Sequence, residues 1–488
     1  MKRTIHIKEE AARCLLCEDA SCTKACKHGD PARAIRAIRF GNKKNAWRWM
    51  EGCSDADIEQ AENACIHYDR PLRIRELLDA VKNDAVATDK LPSLGIDFCG
   101  IQCDNPFFLA SSAVCTNYDM VARAFEMGWA GVFYKTICKQ EINEVSPRFD
   151  AVKEGTSFAG FRNMEQLSEN PYEVDFDILR RLKKNYPTKV VVASIMGQQE
   201  DEWMELAKMA EDAGCDAVEL NFSCPQMRLV GMGSDVGQDT ELVAAYTAYV
   251  KRSVKIPVIP KMTPNITHMK NPALGACFAG ADAISAINTV KSITLSPKSQ
   301  VSGKWTVSGY SGKAVKPISL HFIIEMAKNP LMAGVHLSGI GGIETWRDAL
   351  DYIQLGCRNV QICTAVMEYG YRIIDDLVLG LQTYMAEHGI KQVSDLVGKY
   401  LPMFEQPSDL DRDTMVYPCI DREMCIGCGR CYLSCRDGGH QAMTFDFATR
   451  KPNIDGQKCV GCHLCRLVCP TGAIGISKRF EKHKTSKK

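Results

Sequence analysis

The sequence lacks a long apolar run and an excess of charge of either sign. No apolar segment follows Met1, and no stretch reaches the ~18 consecutive apolar residues that a membrane-spanning helix needs. The 60 lysines and arginines nearly equal the 59 aspartates and glutamates, so the net charge is only +1. Electrostatic attraction to nucleic acid or to an anionic membrane is therefore not expected. We predict a cytoplasmic protein with neither kind of partner.

A dinucleotide-binding motif is also missing. No GxGxxG turn is followed by an acidic residue about 20 positions later, as a βαβ dinucleotide site requires. The nearest glycine cluster is SGIGGIE, residues 338–344. A redox enzyme with this sequence would have to exchange electrons with a partner that binds the nicotinamide or FAD cofactor.

Cysteine, by contrast, is abundant, with 24 residues in a chain of 488. Disulfides are rare in the cytoplasm, so metal binding or catalysis has to explain most of these thiols. The length allows about three domains. We predict a small α-helical iron–sulfur segment at 1–85, a barrel at 91–400 and a ferredoxin-like domain at 415–480.

Eight apolar, β-branched runs alternate with helical patterns between residues 91 and 400, from PFFLASSA to NVQICTAV. This alternation predicts an α/β fold, a parallel (β/α)8 TIM barrel, whose active-site residues follow the C-terminal ends of the strands. The candidate residues at these strand ends are Ser111, Lys135, Thr136, Asn221, Ser223, Cys224, Lys261, Asn288, Thr289, Gly341, Gly342, Cys363 and Thr364.

One strand end carries a thiol. The stretch VELNFSCPQM, residues 218–227, alternates apolar and polar side chains and then reaches Pro225, which predicts a strand ending near Asn221. Cys224 then lies at the rim, where a thiol suits proton transfer to a bound heterocycle. The alternative is a buried thiol that only fills space.

The last strands predict a phosphate site. Gly341 and Gly342 follow the seventh strand and Thr364 follows the eighth, as in the phosphate-binding corner of many barrels. Lys135 and Lys261, at two other strand ends, are suited to stabilise negative charge on a reduced flavin ring. The alternative for each lysine is an ion pair with a carboxylate at the rim.

Two runs of four cysteines, each with spacers of two, two and three residues, lie between residues 425 and 469. This repeat is typical of a domain with two [4Fe–4S] clusters, in which the fourth cysteine of each run binds the other cluster. Zinc is the alternative. The ligands predicted for the first cluster are Cys425, Cys428, Cys431 and Cys469. The ligands predicted for the second are Cys459, Cys462, Cys465 and Cys435.

The N-terminal segment holds further cysteines in RCLLCEDASCTKAC, residues 13–26, and two more downstream. Close thiolates of this kind bind iron–sulfur clusters or zinc. The stretches PARAIRAIRF and IRELLDAVK predict small helices around such a group. The polar stretch KNDAVATDKLPSLGID, residues 82–97, then indicates a linker.

With barrel and ferredoxin segments joined, the chain strongly resembles the catalytic subunits of bacterial NAD-dependent dihydropyrimidine dehydrogenases. The resemblance covers residues 94–480 and rests on FRNMEQLS, NFSCPQM, KMTPN, INTVKSI, SGYSGKAVKP, SGIGGIETW and the two cysteine runs. It implies FMN in the barrel, contacted by Ser111, Lys135, Thr136, Lys261, Gly312, Gly341, Gly342, Cys363 and Thr364. It also implies a uracil- or thymine-like base, held by Asn163, Asn221, Ser223, Asn288 and Thr289.

The resemblance further implies a mechanism and a partner. A hydride would pass between N5 of FMN and C6 of the pyrimidine, with Cys224 as general acid or base at C5. Electrons would pass through the clusters to or from an FAD- and NAD(P)-binding flavoprotein subunit, so a hetero-oligomer is expected. The loop 225–237 contains three glycines and is expected to close over the substrate as a lid.

By the same resemblance, the N-terminal segment corresponds to a cluster-bearing domain that the family normally joins to the FAD and NAD(P)H module. A second ligand set is incomplete, because Leu78 stands in place of a glutamine ligand and only Cys26 and Cys53 remain. One N-terminal [4Fe–4S] cluster is therefore expected, as an added point of electron input. Its implied ligands are Cys14, Cys17, Cys22 and Cys65.

Two other functions compete with this interpretation. A dihydroorotate dehydrogenase would share the barrel, FMN and a loop cysteine, but RNMEQLS and the ferredoxin segment argue against it. A non-catalytic electron-transfer module would use the barrel only as a scaffold. Lysines, asparagines and a thiol at one rim argue against that function.

Overall fold

Eight parallel strands close into a barrel in the order in which they occur along the chain. Each coincides with one of the eight predicted runs, so the predicted (β/α)8 barrel is confirmed. Helices outside and side chains inside bury both faces, which explains why β3 is apolar along nearly its whole length. The strands are β1 Phe107–Leu109, β2 Gly131–Phe133, β3 Val190–Ile195, β4 Ala217–Asn221, β5 Val258–Lys261, β6 Ala283–Ala286, β7 His336–Ile340 and β8 Cys357–Ile362.

One long helix follows each strand and packs an apolar stripe against the barrel. Several begin at side-chain caps: Asn117 accepts a hydrogen bond from the Met120 backbone N–H, and Thr345 forms a capping box with Asp348. The helices are α1 Tyr118–Glu126, α2 Tyr172–Asn185, α3 Glu200–Asp212, α4 Thr240–Ser253, α5 Lys270–Phe278, α6 Lys316–Ala327, α7 Trp346–Gln354 and α8 Ile374–Glu387. Two short helices, Ser234–Gly237 and Thr364–Tyr369, lie in the loops after β4 and β8.

A four-stranded antiparallel sheet is inserted into the loops of the barrel. The hairpin Phe149–Glu154 and Ser157–Asn163 follows β2, and strands Val290–Ser292 and Ser308–Ser311 follow β6. Asn163 pairs with Gly309 across two of these strands. The insert therefore brings residues from two distant loops together after the C-terminal ends of β2 and β6.

The N-terminal segment is helical, as predicted, and belongs to the same compact unit as the barrel, Met1–Pro402. The Arg36 guanidinium is buried and pairs with Asp376 on α8, with 2.6 Å between Nε and Oδ2. Burial raises the pKa of Asp376 to about 6, although Arg36 acts in the opposite direction. The helices are Ile7–Ala12, Ser21–Ala25, Pro31–Arg39, Lys43–Ala46, Asp55–Asn63 and Ile74–Asp79.

The second unit, Met403–Lys488, has its own small core of Cys431, Met443, Cys465 and Ile474. Its helices are Arg430–Gly438 and Leu464–Leu467. Its antiparallel strand pairs are Thr414–Met415 with Phe480–Glu481, Pro418–Ile420 with Ile474–Ile476, and Met443–Asp446 with Lys451–Ile454. The boundaries 1–85, 91–400 and 415–480 stay a prediction.

The computed structural model describes residues 6–84, 91–225, 227 and 231–482. The predicted linker includes residues 85–90, and the predicted lid includes residue 226 and residues 228–230, all of which lie outside the described residues. Within the described ranges, no helix combines the length and the apolar character needed to cross a bilayer.

Candidate active site and cysteine cavities

A cavity of about 1020 Å³ opens at the C-terminal ends of the barrel strands. Fourteen of the fifteen barrel residues singled out from the sequence line this one space, although they come from all parts of the barrel. They are Ser111, Lys135, Thr136, Asn163, Asn221, Cys224, Lys261, Asn288, Thr289, Gly312, Gly341, Gly342, Cys363 and Thr364. The separate roles given to them stay predictions.

Ser223 is the exception, because it lies beneath the lining and is completely buried. Its hydroxyl donates to Asn221 Oδ1 at 2.7 Å and accepts from Asn288 Nδ2 at 2.8 Å. Asn221 Nδ2 in turn donates to Thr136 Oγ1 at 2.9 Å. In this structure Ser223 orients two asparagine side chains of the cavity and does not face the cavity itself.

Cys224 sits where β4 gives way to its loop and is only 5% exposed. Its backbone oxygen accepts a hydrogen bond from the Ser234 N–H at 2.9 Å. Gly233 packs so closely that a Cβ there would lie 2.4 Å from the same oxygen, and its φ of +58° also favours glycine. This packing fixes the backbone of Cys224. Cys224 and Pro225 both line the cavity.

Both predicted lysines pair with buried carboxylates and also line the cavity. Lys135 Nζ lies 3.0 Å from Glu165 Oε2, and Lys261 Nζ lies 3.6 Å from Glu219 Oε1. Each lysine therefore has a carboxylate partner, but the partner of Lys261 lies inside the barrel and both lysines also face the cavity, so their role toward a flavin stays a prediction. An ammonium group has three donors, so pairing with one carboxylate leaves donors for a ligand in the cavity.

The carboxylates that pair with these two lysines were not identified from the sequence. Glu165 stands two residues after Asn163 in FRNMEQLS and also pairs with Arg148 at 3.1 Å. Glu219 is fully buried inside the barrel and accepts hydrogen bonds from Ser194 and Ser285, each at 2.9 Å. The available signal was strand alternation, which puts Glu219 and Asn221 on one face of β4.

The predicted phosphate corner is built from bare backbone. Gly341 and Gly342 have φ values of +131° and +67°, and a Cβ on Gly342 would lie 2.9 Å from the Gly312 carbonyl oxygen. Nearby, the hydroxyls of Ser311 and Thr364 are 2.9 Å apart. A cradle of glycines and hydroxyls at one end of a large cavity fits the phosphate and ring system of FMN.

Glu344 also lines this corner and was not identified from the sequence. Burial raises its pKa to about 7, and the neighbouring carboxylate of Glu368 acts in the same direction. Lys313 opposes this shift. The corner therefore contains a carboxyl group that titrates near neutral pH.

Three further cavities of similar size are each lined by four cysteines. In the C-terminal unit, each cavity combines three cysteines of one run with the last of the other, which is the pairing predicted from the spacing. A cavity of about 340 Å³ is lined by Cys425, Cys428, Cys431 and Cys469. One of about 370 Å³ is lined by Cys435, Cys459, Cys462 and Cys465. In the N-terminal segment, one of about 380 Å³ is lined by Cys14, Cys17, Cys22 and Cys65.

Four thiols around one cavity are the donor set that a [4Fe–4S] cluster takes. Across the described part of the chain, no three His, Cys, Asp or Glu side chains converge closely enough to hold one metal ion. Zinc needs sulfur ligands at about 2.3 Å, whereas a cubane occupies the space between its four thiolates. Burial raises the pKa of both Cys22 and Cys465 to about 11, so metal binding has to displace protons there.

Comparison with known proteins matches the two halves of this description. The dihydroorotate dehydrogenase family matches residues 93–385, and the 4Fe-4S dicluster domain family matches residues 418–476. The NAD-dependent dihydropyrimidine dehydrogenase subunit PreA of Escherichia coli (strain K12) is 51% identical over 397 residues, covering 80% of this chain and 97% of the relative. These matches confirm the predicted barrel, the dicluster domain and the resemblance.

Two less similar relatives are named as two different enzymes. The chloroplastic dihydropyrimidine dehydrogenase (NADP(+)) of Arabidopsis thaliana is 36% identical over 343 residues, which are 66% of this chain and 80% of the relative. The catalytic subunit of dihydroorotate dehydrogenase B (NAD(+)) of Pyrococcus furiosus is 33% identical over 311 residues, 63% of this chain and 98% of the relative. The N-terminal cysteine segment precedes the region of the family match.

Proposed function

The chain belongs to the dihydroorotate dehydrogenase family, and on that premise we propose that it is the catalytic subunit of a dihydropyrimidine dehydrogenase. It is an oxidoreductase whose cofactors are FMN and iron–sulfur clusters. In the proposed reaction it interconverts uracil or thymine with the corresponding 5,6-dihydropyrimidine. The identity to the PreA subunit and the amide-rich wall of the barrel cavity support this activity.

The observation that carries the proposal is the convergence of Asn163, Asn221 and Asn288 with Cys224 on one cavity. A pyrimidine base offers carbonyl oxygens and ring N–H groups. An asparagine amide donates to the former and accepts from the latter, so a set of three matches such a ring. A cavity for an aliphatic substrate would not need three amides in its lining.

The asparagines are held in place before a ligand arrives. Ser223 bonds to both Asn221 and Asn288, and Asn288 Oδ1 accepts from the Thr289 backbone N–H at 2.7 Å. Asn221 and Asn288 each keep a second amide hydrogen for the base, and Asn288 Oδ1 keeps a second lone pair. Asn221 Oδ1 already accepts from both the N–H and the hydroxyl of Ser223, so Asn221 serves the base as a donor. This arrangement lowers the ordering cost when substrate binds.

Cys224 is the proposed acid and base. In the reducing direction its thiol donates a proton to C5 of the pyrimidine, and in the oxidising direction its thiolate removes that proton. Bound FMN supplies the hydride chemistry at C6, and the clusters supply single electrons. Lys135 and Lys261 line the cavity, and the N–H groups that their carboxylate partners leave unused can donate to a bound ligand.

The clusters connect this site to a partner. We assign the two C-terminal cysteine cavities and the N-terminal one to [4Fe–4S] clusters, three in all. The electron partner is a flavoprotein subunit that binds FAD and NAD(P), and the active form is a hetero-oligomer. The N-terminal cluster would give such a partner an additional point of electron input. Measuring iron and acid-labile sulfide per FMN tests the number of clusters.

The substrate assignment is tested with the chemically reduced holoprotein under anaerobic conditions. Uracil, thymine and orotate are mixed with it separately, and the reoxidation of FMN is followed by its visible absorbance. We expect uracil or thymine to reoxidise FMN and to yield the dihydropyrimidine, with orotate much slower. Preferential reaction with orotate would instead indicate a dihydroorotate dehydrogenase, and no reaction with any of the three would indicate an electron-transfer module.

A further inference from the structure

Cys26 and Cys53 are the two N-terminal cysteines that do not line the cavity of Cys14, Cys17, Cys22 and Cys65. Their sulfur atoms lie 3.2 Å apart, in direct contact. Cys26 directly follows the helix Ser21–Ala25, and Cys53 stands two residues before the helix Asp55–Asn63.

The surroundings of this thiol pair differ from those of the three four-cysteine cavities. Cys53 Sγ also hydrogen-bonds to the backbone oxygen of His28. A Cβ on Gly29 would lie 2.4 Å from Cys53 Sγ and 3.0 Å from the Trp49 carbonyl oxygen, so only a glycine fits beside this sulfur. Thiolates that bind a [4Fe–4S] cluster surround it, as in the three four-cysteine cavities, whereas Cys26 and Cys53 touch each other.

We propose that Cys26 and Cys53 form a reversible disulfide, a covalent site separate from the ligands of the N-terminal cluster. A disulfide bond is about 2.05 Å long, so the two sulfurs need to approach by only about 1 Å. Small rotations about the side-chain torsions supply such a movement. The two sulfurs are already in contact, which favours closure of the bond.

The chemistry is a thiol–disulfide exchange with a small-molecule disulfide such as oxidised glutathione. One protein thiolate attacks the oxidant, forming a mixed disulfide and releasing one glutathione thiol. The second protein thiolate then attacks the mixed disulfide at the protein sulfur and releases the other glutathione. In total, Cys26 and Cys53 lose two electrons and two protons, and oxidised glutathione becomes two molecules of the reduced form.

Exposure determines which sulfur reacts first. Cys53 is partly exposed, whereas Cys26 is only 7% exposed, so the oxidant reaches Cys53. Burial, the contact with Cys26 and the charge of Asp57 raise the pKa of Cys53 to about 12. The thiolate is therefore scarce at neutral pH and exchange is slow. The pair would respond to lasting oxidising conditions and not to brief ones.

The bond would join the two pieces of chain that deliver cluster ligands. Cys22 lies on the helix before Cys26, and Cys65 follows the helix after Cys53. These two helices already pack against each other. A disulfide between Cys26 and Cys53 would keep the helices near Cys22 and Cys65 packed together when the cluster is damaged or absent.

Peptide mapping of the anaerobically purified holoprotein tests the proposal. The protein is equilibrated in buffers of increasing ratio of oxidised to reduced glutathione, alkylated and digested. We expect a cross-linked peptide joining Cys26 to Cys53 that grows with the ratio and disappears after treatment with dithiothreitol. Full alkylation of both thiols in the most oxidising buffer would overturn the proposal, and so would a cross-link from either thiol to another cysteine.

Iron content separates a disulfide from a cluster ligand set. Cys26→Ser and Cys53→Ser should each abolish the cross-link and keep the wild-type iron content, whereas Cys22→Ser should lose about four irons. A loss in Cys26→Ser or Cys53→Ser equal to that in Cys22→Ser would assign the pair to a cluster and contradict the proposal. If a serine variant does not fold, Cys26→Ala and the cross-link in the wild type still decide the question.

Discussion

The barrel cavity and the cysteine cavities are assembled in different ways. The barrel cavity takes its lining from residues 110–367 and exists only when all eight strands have closed. Each cysteine cavity is built within a short piece of chain, such as residues 14–72 or 418–465. The proposed chemistry at the substrate therefore depends on the whole barrel, whereas electron transfer through the clusters depends on short local segments. Damage to one should therefore leave the other intact.

Removal of one C-terminal cluster ligand should have the largest effect. Cys428→Ser disrupts the four-cysteine cavity that also contains Cys469, so turnover with a nicotinamide-linked partner should fall to background. Iron content should drop by about one cluster while bound FMN is unchanged. Cys419→Ser is the matched control, because Cys419 is an exposed cysteine of the same unit outside both cysteine cavities. Equal losses in both variants would contradict the assignment.

Removal of the proposed general acid should impair the chemistry in the barrel cavity and leave the iron–sulfur clusters intact. Cys224→Ala should lower kcat by about 10²-fold or more, the usual scale for a lost general acid, with FMN and iron content unchanged. Steady-state kinetics with uracil measure this effect. Cys277→Ala, a partly buried cysteine on α5 outside the cavity, serves as the control. Near-normal turnover by Cys224→Ala would refute the role given to its thiol.

Loss of the Glu165 carboxylate should lower the stability of the barrel and not that of the C-terminal unit. Glu165→Gln leaves Lys135 in the cavity wall without its ionic partner, and breaking a buried pair costs about 3 kcal/mol. The melting temperature of the barrel should fall by several degrees, measured by calorimetry. Glu205→Gln breaks an exposed pair with Lys139 and should change stability by less than about 1 kcal/mol. Similar shifts of the melting temperature in the two variants would contradict the larger contribution of the Lys135–Glu165 pair to stability.

The smallest expected effect is on pH dependence. The folded protein holds the pKa of Glu344 near 7, above its ordinary value of 4.5, so its protonated form is favoured. That contribution to stability is complete below the ordinary pKa and is lost as the pH rises through about 7. Between about pH 5 and pH 8 the loss is about 2 kcal/mol. Glu344→Gln should remove it, as thermal unfolding at several pH values can show; an unchanged slope would contradict this origin.

The regular parts of both regions could be predicted from sequence. Eight strand positions followed from apolar periodicity, and polar residues after them, such as Asn221 and Thr364, indicated the rim. The cysteine pairing in the C-terminal unit followed from spacing alone. In each case a local pattern contains the relevant information.

Contacts between distant segments could not be predicted. Glu165 reaches Lys135 from the segment that follows the inserted hairpin, and nothing in the local pattern of either residue specifies that pair. The burial of Ser223 beneath the asparagines depends on a contact between the segments that follow β4 and β6, two strands that are not neighbours in the barrel. The contact of Cys26 with Cys53 likewise depends on the packing of two short helices, which no spacing rule describes.

A single-turnover comparison tests the separation of chemistry from electron carriage most directly. Wild-type protein, Cys224→Ala and Cys428→Ser are reduced chemically, mixed with uracil without oxygen, and followed by FMN reoxidation. Reoxidation should be slowed by about 10²-fold in Cys224→Ala and should match the wild type in its first turnover in Cys428→Ser. A normal rate in the former together with a slow rate in the latter would contradict the account.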